Sequence, residues 1–143
     1  MPPPIGNIKA NCDAALAGDS SRGGLGLVLR DHTGSVRKAI SIPTRLSSVI
    51  QDELLAIHNV LTVALDEGFS HLQVESDSNT AVGYILKHHS NPPSDVIDII
   101  SDVQWLSASF TSITFSYVPR AMNFVVDALA RKALPLVYET VWP

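Results

Sequence analysis

The chain has 143 residues, 45% of them hydrophobic and 17% charged, the size and composition of one domain that can bury a core without staples. Its one cysteine, Cys12, excludes an internal disulfide, and the start Met1-Pro2-Pro3-Pro4 lacks the basic, apolar and small-residue regions of a signal peptide, so an intracellular protein, cytoplasmic or nuclear and not secreted, is expected. No apolar run approaches the ~20 residues of a membrane span, so no membrane partner is expected and the positive mean hydropathy reflects a rich core.

In chain order, residues 1–6 read as an extended, proline-rich lead-in, residues 7–135 as the domain, and residues 136–143 as a short tail without chemistry of its own. Strand patterns cover residues 8–15, 26–30 and 36–42, and Asp31-His32-Thr33-Gly34 is a turn that pairs the last two as an antiparallel hairpin. A helix over residues 49–67 follows, closed by Gly68, with Ile50, Leu54, Ile57, Leu61 and Ala64 on one inward stripe. Residues 72–76 then read as a strand, 80–87 as a helix, Asn91-Pro92-Pro93 as a break, 96–105 as a helix, 113–118 as a strand and 123–134 as a closing helix. The order βββαβααβα calls for a mixed α/β sheet in which a three-stranded meander is extended through helical crossovers.

Four acids stand at awkward places on four of these elements. Asp13 falls late in the first strand, where propensity disfavours an acid, or else begins the turn that follows it. Glu53 lies on the shoulder of the apolar stripe of its helix. Its neighbour Asp52 points well away and by itself serves the positive end of the helix dipole. Asp77 stands at a strand exit, where ligand-binding groups collect in α/β sheets, or else Asp77 or Ser78 caps the next helix. Asp127 lies at the edge of the last helix's apolar stripe, four residues before Arg131, and an i,i+4 ion pair is the plain alternative. Together the four are what a two-metal phosphodiester-cleaving site requires, because each divalent cation wants several converging oxygens. The net charge of −4 does not exclude a nucleic-acid partner, since removing these four from the 14 acids leaves ten against ten bases.

With their neighbours, these positions resemble the ribonuclease H type 1 family, in particular the plant, retroelement-derived branch called reverse transcriptase-like. The resemblance covers nearly the whole chain. It rests on Lys9-Ala10-Asn11-Cys12-Asp13-Ala14-Ala15, on the run from Gly23 to Asp31 with Gly34, and on Asp52-Glu53-Leu54-Leu55-Ala56-Ile57. It continues in Val74-Glu75-Ser76-Asp77-Ser78 and from Val118-Pro119-Arg120-Ala121-Met122-Asn123 to Asp127-Ala128-Leu129-Ala130. It implies the ribonuclease H-like fold, a five-stranded mixed sheet of order 3-2-1-4-5 flanked by helices, with the first and fourth strands adjacent. It further implies that Asp13, Glu53, Asp77 and Asp127 are catalytic and hold two Mg²⁺ or Mn²⁺ ions, and that the RNA strand of an RNA/DNA hybrid is cut to a 5′-phosphate and a 3′-hydroxyl. Gly23, Gly24, Ser78, Asn79, Arg120 and Asn123 are the candidates for substrate contact; for Asn79 the exposed start of a helix is an equal reading, and for Arg120 a plain loop residue. A monomer is expected, and the lead-in suggests a piece of a longer polypeptide.

The departures from that family bear on function. Ala14 replaces the usual glycine after the first aspartate, and Gly18-Asp19-Ser20-Ser21-Arg22 does not match the usual substrate-gripping loop. Tyr117-Val118-Pro119-Arg120 carries no histidine for product release, and Lys87-His88-His89-Ser90-Asn91-Pro92-Pro93 leaves out the basic helical protrusion, with both histidines read as solvated. Modest, salt-dependent hybrid affinity follows. The alternative function is a catalytically weak or inactive module of the same fold acting as a nucleic-acid or protein interaction domain.

Overall fold

Alternation of small apolar and polar residues makes Ile8–Leu16 the first strand, β1, and turns Ile8, Ala10 and Cys12 into the main core. This is seen in a computed structural model, which describes residues 2–17, 22–45, 48–89 and 91–143. The hairpin of β2 (Arg22–Arg30) and β3 (Val36–Arg45) is turned by Asp31, whose Oδ1 accepts from the Thr33 and Ser35 amides at 2.9 and 3.1 Å. Gly34 completes the turn at φ +82°, a conformation open to glycine at no steric cost.

Helix α1 (Val49–Asp66) starts where the Ser48 hydroxyl accepts from the Gln51 amide at 3.1 Å, satisfying one of the orphan donors of the first turn. It ends at Gly68, φ +80°, beyond which the Phe69 amide reaches the Ala64 carbonyl at 2.9 Å. The stripe of Leu54, Ile57, Leu61 and Ala64 is buried against Leu25, Leu27, Leu29, Leu72 and Val74 of the sheet. Strand β4 (His71–Ser76), helix α2 (Asn79–Ile85), helix α3 (Ile97–Ser107), strand β5 (Ser112–Tyr117) and helix α4 (Phe124–Ala133) follow.

With Thr140–Val141 as β6, the sheet runs β5-β4-β1-β2-β3-β6. The five strands other than β6 have the expected order, with β1 parallel to β4 and antiparallel to β2. The sixth strand is a correction: Thr140–Val141, in the segment read as a tail, forms β6 on the edge of β3. Trp142 then closes the edge, its indole Nε1 donating to the Ser41 hydroxyl at 2.8 Å with the Lys132 ammonium 5.2 Å from its ring. Two residues carry too little pattern to be read as a strand, and β3 supplies the partner only in three dimensions.

Strand β2 also begins four residues earlier than its pattern suggests, because glycines are poor strand formers yet are what α4 needs. A Cβ on Gly26 would press on the Val126 carbonyl oxygen, and one on Gly24 on that of Ala130. The two bare positions let the helix backbone settle onto the strand, where Val126 and Leu129 pack on Val28. Among the described residues no helix is long and apolar enough to cross a membrane. Gly26→Ala should therefore destabilise the fold by about 1–3 kcal/mol through overpacking; a urea midpoint equal to that of the parent would show that α4 does not lean on β2.

Candidate metal centre

Parallel pairing aligns Cys12 of β1 with Ser76 of β4, so the next residues, Asp13 and Asp77, leave neighbouring strands at the same end of the sheet. Asp13 is still within β1, opposite Gly26, and is 3% exposed. Glu53, in the second turn of α1, is buried beside it and accepts from the Ala14 amide at 3.1 Å through Oε1. Asp77 stays out of the α2 cap, which Ser78 provides by accepting from the Ala81 amide at 3.1 Å. One carboxylate oxygen from each of Asp13, Glu53 and Asp77 lies within 4.8 Å of the other two.

The fourth acid is placed differently. Asp127 of α4 has its Oδ2 3.0 Å from Arg131 Nε and its Oδ1 3.6 Å from an Arg120 guanidinium nitrogen. Burial alone would raise its carboxyl, but the hydrogen bond and charge of Arg131, the adjoining Asp13 carboxyl and the charge of Arg120 together pull it below the ordinary value. So the ion pair with Arg131 exists, and Asp127 still reaches the edge of the cluster.

Among the described residues no ion pair reaches Asp13, Glu53 or Asp77. Burial, followed by the charge of Asp77, pushes the Asp13 carboxyl up to about 7. Glu53 is pushed up to about 9, first by burial and then by the charges of Asp13 and Asp77. Its Oε2 is buried and has no hydrogen-bond partner, a costly state for a carboxylate oxygen unless a cation takes it. Three converging carboxylates, one of them carrying an orphaned oxygen, fit a hard divalent cation, which prefers oxygen ligands at ~2.0–2.6 Å. Asp13, Glu53 and Asp77 are the residues that could hold it.

The acids open onto a cleft of about 340 Å³ lined by Asp13, Ala14, Val49, Glu53, Asp77, Ser78, Tyr117 and Arg120. Ser78 and Arg120 are thus brought to the site, while Asn79 is the exposed first residue of α2. Asn123 is 2% exposed and both ends of its amide are engaged: Nδ2 donates to the Cys12 carbonyl at 2.9 Å and Oδ1 accepts from Asn11 at 3.2 Å. It ties the start of α4 to β1 next to Asp13. Gly23 and Gly24 are buried within the β2 ladder.

Asp52 departs from its sequence reading, being 1% exposed and accepting from the Thr44 hydroxyl at 3.1 Å against Gly23. The end of the β2–β3 hairpin covers that side of α1, and a bare glycine makes the room. Val49 and Tyr117 line the cleft without having been singled out, since an apolar helix start and a strand-end tyrosine look ordinary in a sequence. Residues 18–21 of the altered loop lie outside the described residues. His88 and His89 are both exposed, with His89 edge-on to Tyr84 at 5.7 Å.

A carboxyl that holds its proton more tightly in the folded chain than in the unfolded one favours folding below its unfolded value and loses that advantage as pH rises through its folded value. Those limits are 3.8 and about 7 for Asp13, and 4.5 and about 9 for Glu53. In a chelator the melting temperature should thus fall as pH rises from about 4 to about 9, and Glu53→Gln should flatten the slope. A parent profile flat across that window would show that the carboxyls are not strained.

Comparison with known proteins gives the family and the fold. The reverse transcriptase-like family matches residues 11–133. A protein of Arabidopsis thaliana provisionally named a ribonuclease H protein is 28% identical over 139 residues, covering 94% of this chain and 22% of that protein. The chain therefore spans about a fifth of that relative's length. Among solved structures, ribonuclease H1 of the halophilic archaeon Halobacterium salinarum superposes with a TM-score of 0.84 at 24% identity, over 89% of this chain and 96% of that one. The N-terminal ribonuclease H domain of a Mycobacterium tuberculosis protein gives 0.83 at 22%, over 90% and 93%. A ribonuclease H1 isolated from compost, solved in complex with RNA/DNA hybrid, gives 0.81 at 17%, over 89% and 96%. The chain belongs to the reverse transcriptase-like family and has the ribonuclease H fold.

Proposed function

We propose that this chain is a metal-dependent endoribonuclease that hydrolyses the RNA strand of RNA/DNA hybrids with two divalent cations, Mg²⁺ or Mn²⁺. The observation that carries the reading is the convergence of Asp13, Glu53 and Asp77 within 4.8 Å, with no ion-pairing base on them among the described residues. A fold that places three acids together at a strand end, one with a buried oxygen lacking any partner, is arranged to receive positive charge. The relative solved with a hybrid supports the substrate class.

When bound, the cations would activate the attacking water and stabilise the leaving 3′-oxygen. The chain's own residues do the positioning. Asp13, Glu53 and Asp77 would hold the first ion, and Asp127 would help to hold the second. Arg120 and Ser78, on the cleft wall, take the phosphate oxygens on either side of the scissile bond. Asn123 holds α4 against β1, and with it the spacing of Asp127 from Asp13. Selectivity for the hybrid rests on groove shape and the 2′-hydroxyl, since an A-like duplex hides its base edges.

Labelled RNA/DNA hybrid, duplex RNA and duplex DNA, each with Mg²⁺ and with chelator, test the reading. The expected result is cutting of the hybrid only, and only with metal. Asp77→Asn should reduce cutting by at least about a hundredfold, since losing a ligand costs no less than the 10- to 100-fold of an outer partner. The same substitution should leave the melting temperature at pH 8 unchanged or higher, because a repelling charge is gone. Undiminished cutting by the Asp77→Asn protein would remove the assignment, and silence in both Mg²⁺ and Mn²⁺ would favour an interaction module.

A further inference from the structure

The face of β1 opposite Ile8, Ala10 and Cys12 carries a line of polar side chains. Asn11 is the cross-strand partner of Glu75 in β4, and its amide nitrogen donates to Glu75 Oε1 at 2.9 Å and to Asn123 Oδ1 at 3.2 Å. The Asn123 nitrogen in turn donates to the Cys12 carbonyl at 2.9 Å. At the other end of the line the Lys9 ammonium lies 3.2 Å from Glu75 Oε2. Asn11 and Asn123 are both buried, so a misdirected amide there has little water to fall back on.

Every link in this line has a direction. The oxygen and nitrogen of an amide are alike in shape and opposite in role, so two amides in contact have two arrangements, related by turning both over. An ionised carboxylate accepts and never donates. Glu75 at one end and the Cys12 carbonyl at the other both require a donor, and only the observed arrangement supplies one to each. Lys9, which donates and never accepts, keeps the carboxylate in place. A polar line satisfied in this way specifies one geometry.

The line ends on the helix that carries the fourth acid. Asn123 immediately precedes α4, where an asparagine side chain ordinarily caps the helix, yet this one makes no cap bond among the described residues. Its side chain is given to β1 instead, and its backbone carbonyl accepts from the Asp127 amide at 3.1 Å. We infer that Glu75 is a positioning residue: acting through Asn11 and Asn123, it sets where the first turn of α4 holds Asp127 relative to Asp13. The consequence for cutting rests on the proposed function. The side chain does this from β4, without lining the acidic cleft.

Glu75→Gln tests this with almost no change of shape. A glutamine offers one oxygen where the carboxylate offered two, so either Lys9 or Asn11 then faces an amide nitrogen; adding Lys9→Met frees the glutamine oxygen for Asn11. In side-chain amide NMR spectra recorded in chelator, Glu75→Gln should shift or double the Asn123 signals, and the double variant should return them to the parent's positions. With labelled hybrid and Mg²⁺, Glu75→Gln should lower kcat about tenfold, the lower end of what outer partners of metal ligands cost, with KM for the hybrid unchanged and kcat recovered in the double variant. Glu67→Gln, which removes the same charge at the C-terminal end of α1, should match the parent. Asn123 signals that Glu75→Gln leaves unmoved would overturn the inference, even if kcat falls, because the effect is then one of local charge. A folded double variant that recovers neither signals nor kcat would overturn it too. Should the parent cut no hybrid, the proposed function falls, and the Asn123 signals still decide whether Glu75 orients the line.

Discussion

The two-sided pairing of β1 is the constraint from which the rest follows. Antiparallel to β2 and parallel to β4, this strand sets which residues share one end of the sheet. A parallel neighbour requires a crossover, and α1 supplies it by returning across the buried face from the end of β3 to the start of β4. Its first turns therefore begin at the end where Asp13 and Asp77 emerge, and Glu53 is delivered there by connectivity alone. The last acid arrives by another route, with α4 laid along β2 over Gly24 and Gly26.

Electrostatics divides the molecule along the strand direction. At one end Lys9, Arg37 and Lys38 each have an acid within ion-pair distance, and these pairs add little beyond solvation and a few tenths of a kcal/mol. At the other end charge is segregated, with Asp13, Glu53 and Asp77 in one cleft and Arg22 and Arg45 lining the next. Asp127, held by Arg131 and Arg120, stands at the border between the two. Such segregation is unfavourable for folding, and charge strain of this kind collects at functional sites. The same end of the fold thus carries both its strained carboxyls and its candidate metal centre.

Much of this was legible in the chain itself. The periodicities of Ile8 to Cys12 and of Leu54 to Ala64 identified β1 and α1 and their inward faces, and the neighbours of the four acids pointed to a family and so to a sheet order. Other features were not legible. Gly23 and Gly24 look like a loop to any local reading, and their value as strand residues exists only because α4 needs their missing side chains. Thr140–Val141 has no strand character until β3 offers an unpaired edge. Asp52 looks like a solvated first-turn acid, and its burial comes from Thr44 and Gly23, residues that the chain brings to it from another element.

Local order therefore came from the sequence by itself: element types, the inward stripe of α1, and the presence of acids at positions that local propensity disfavours. These depend on neighbours three or four residues away at most, and a linear reading sees such neighbours. Tertiary structure decided convergence. Whether Asp13, Glu53 and Asp77 shared one point, whether Asp127 joined them or paired with arginines, and whether Asn11 faced Glu75 all depended on strand register and helix docking. Those are settled by packing across the sheet, where one bare glycine or one unpaired edge outweighs any local preference.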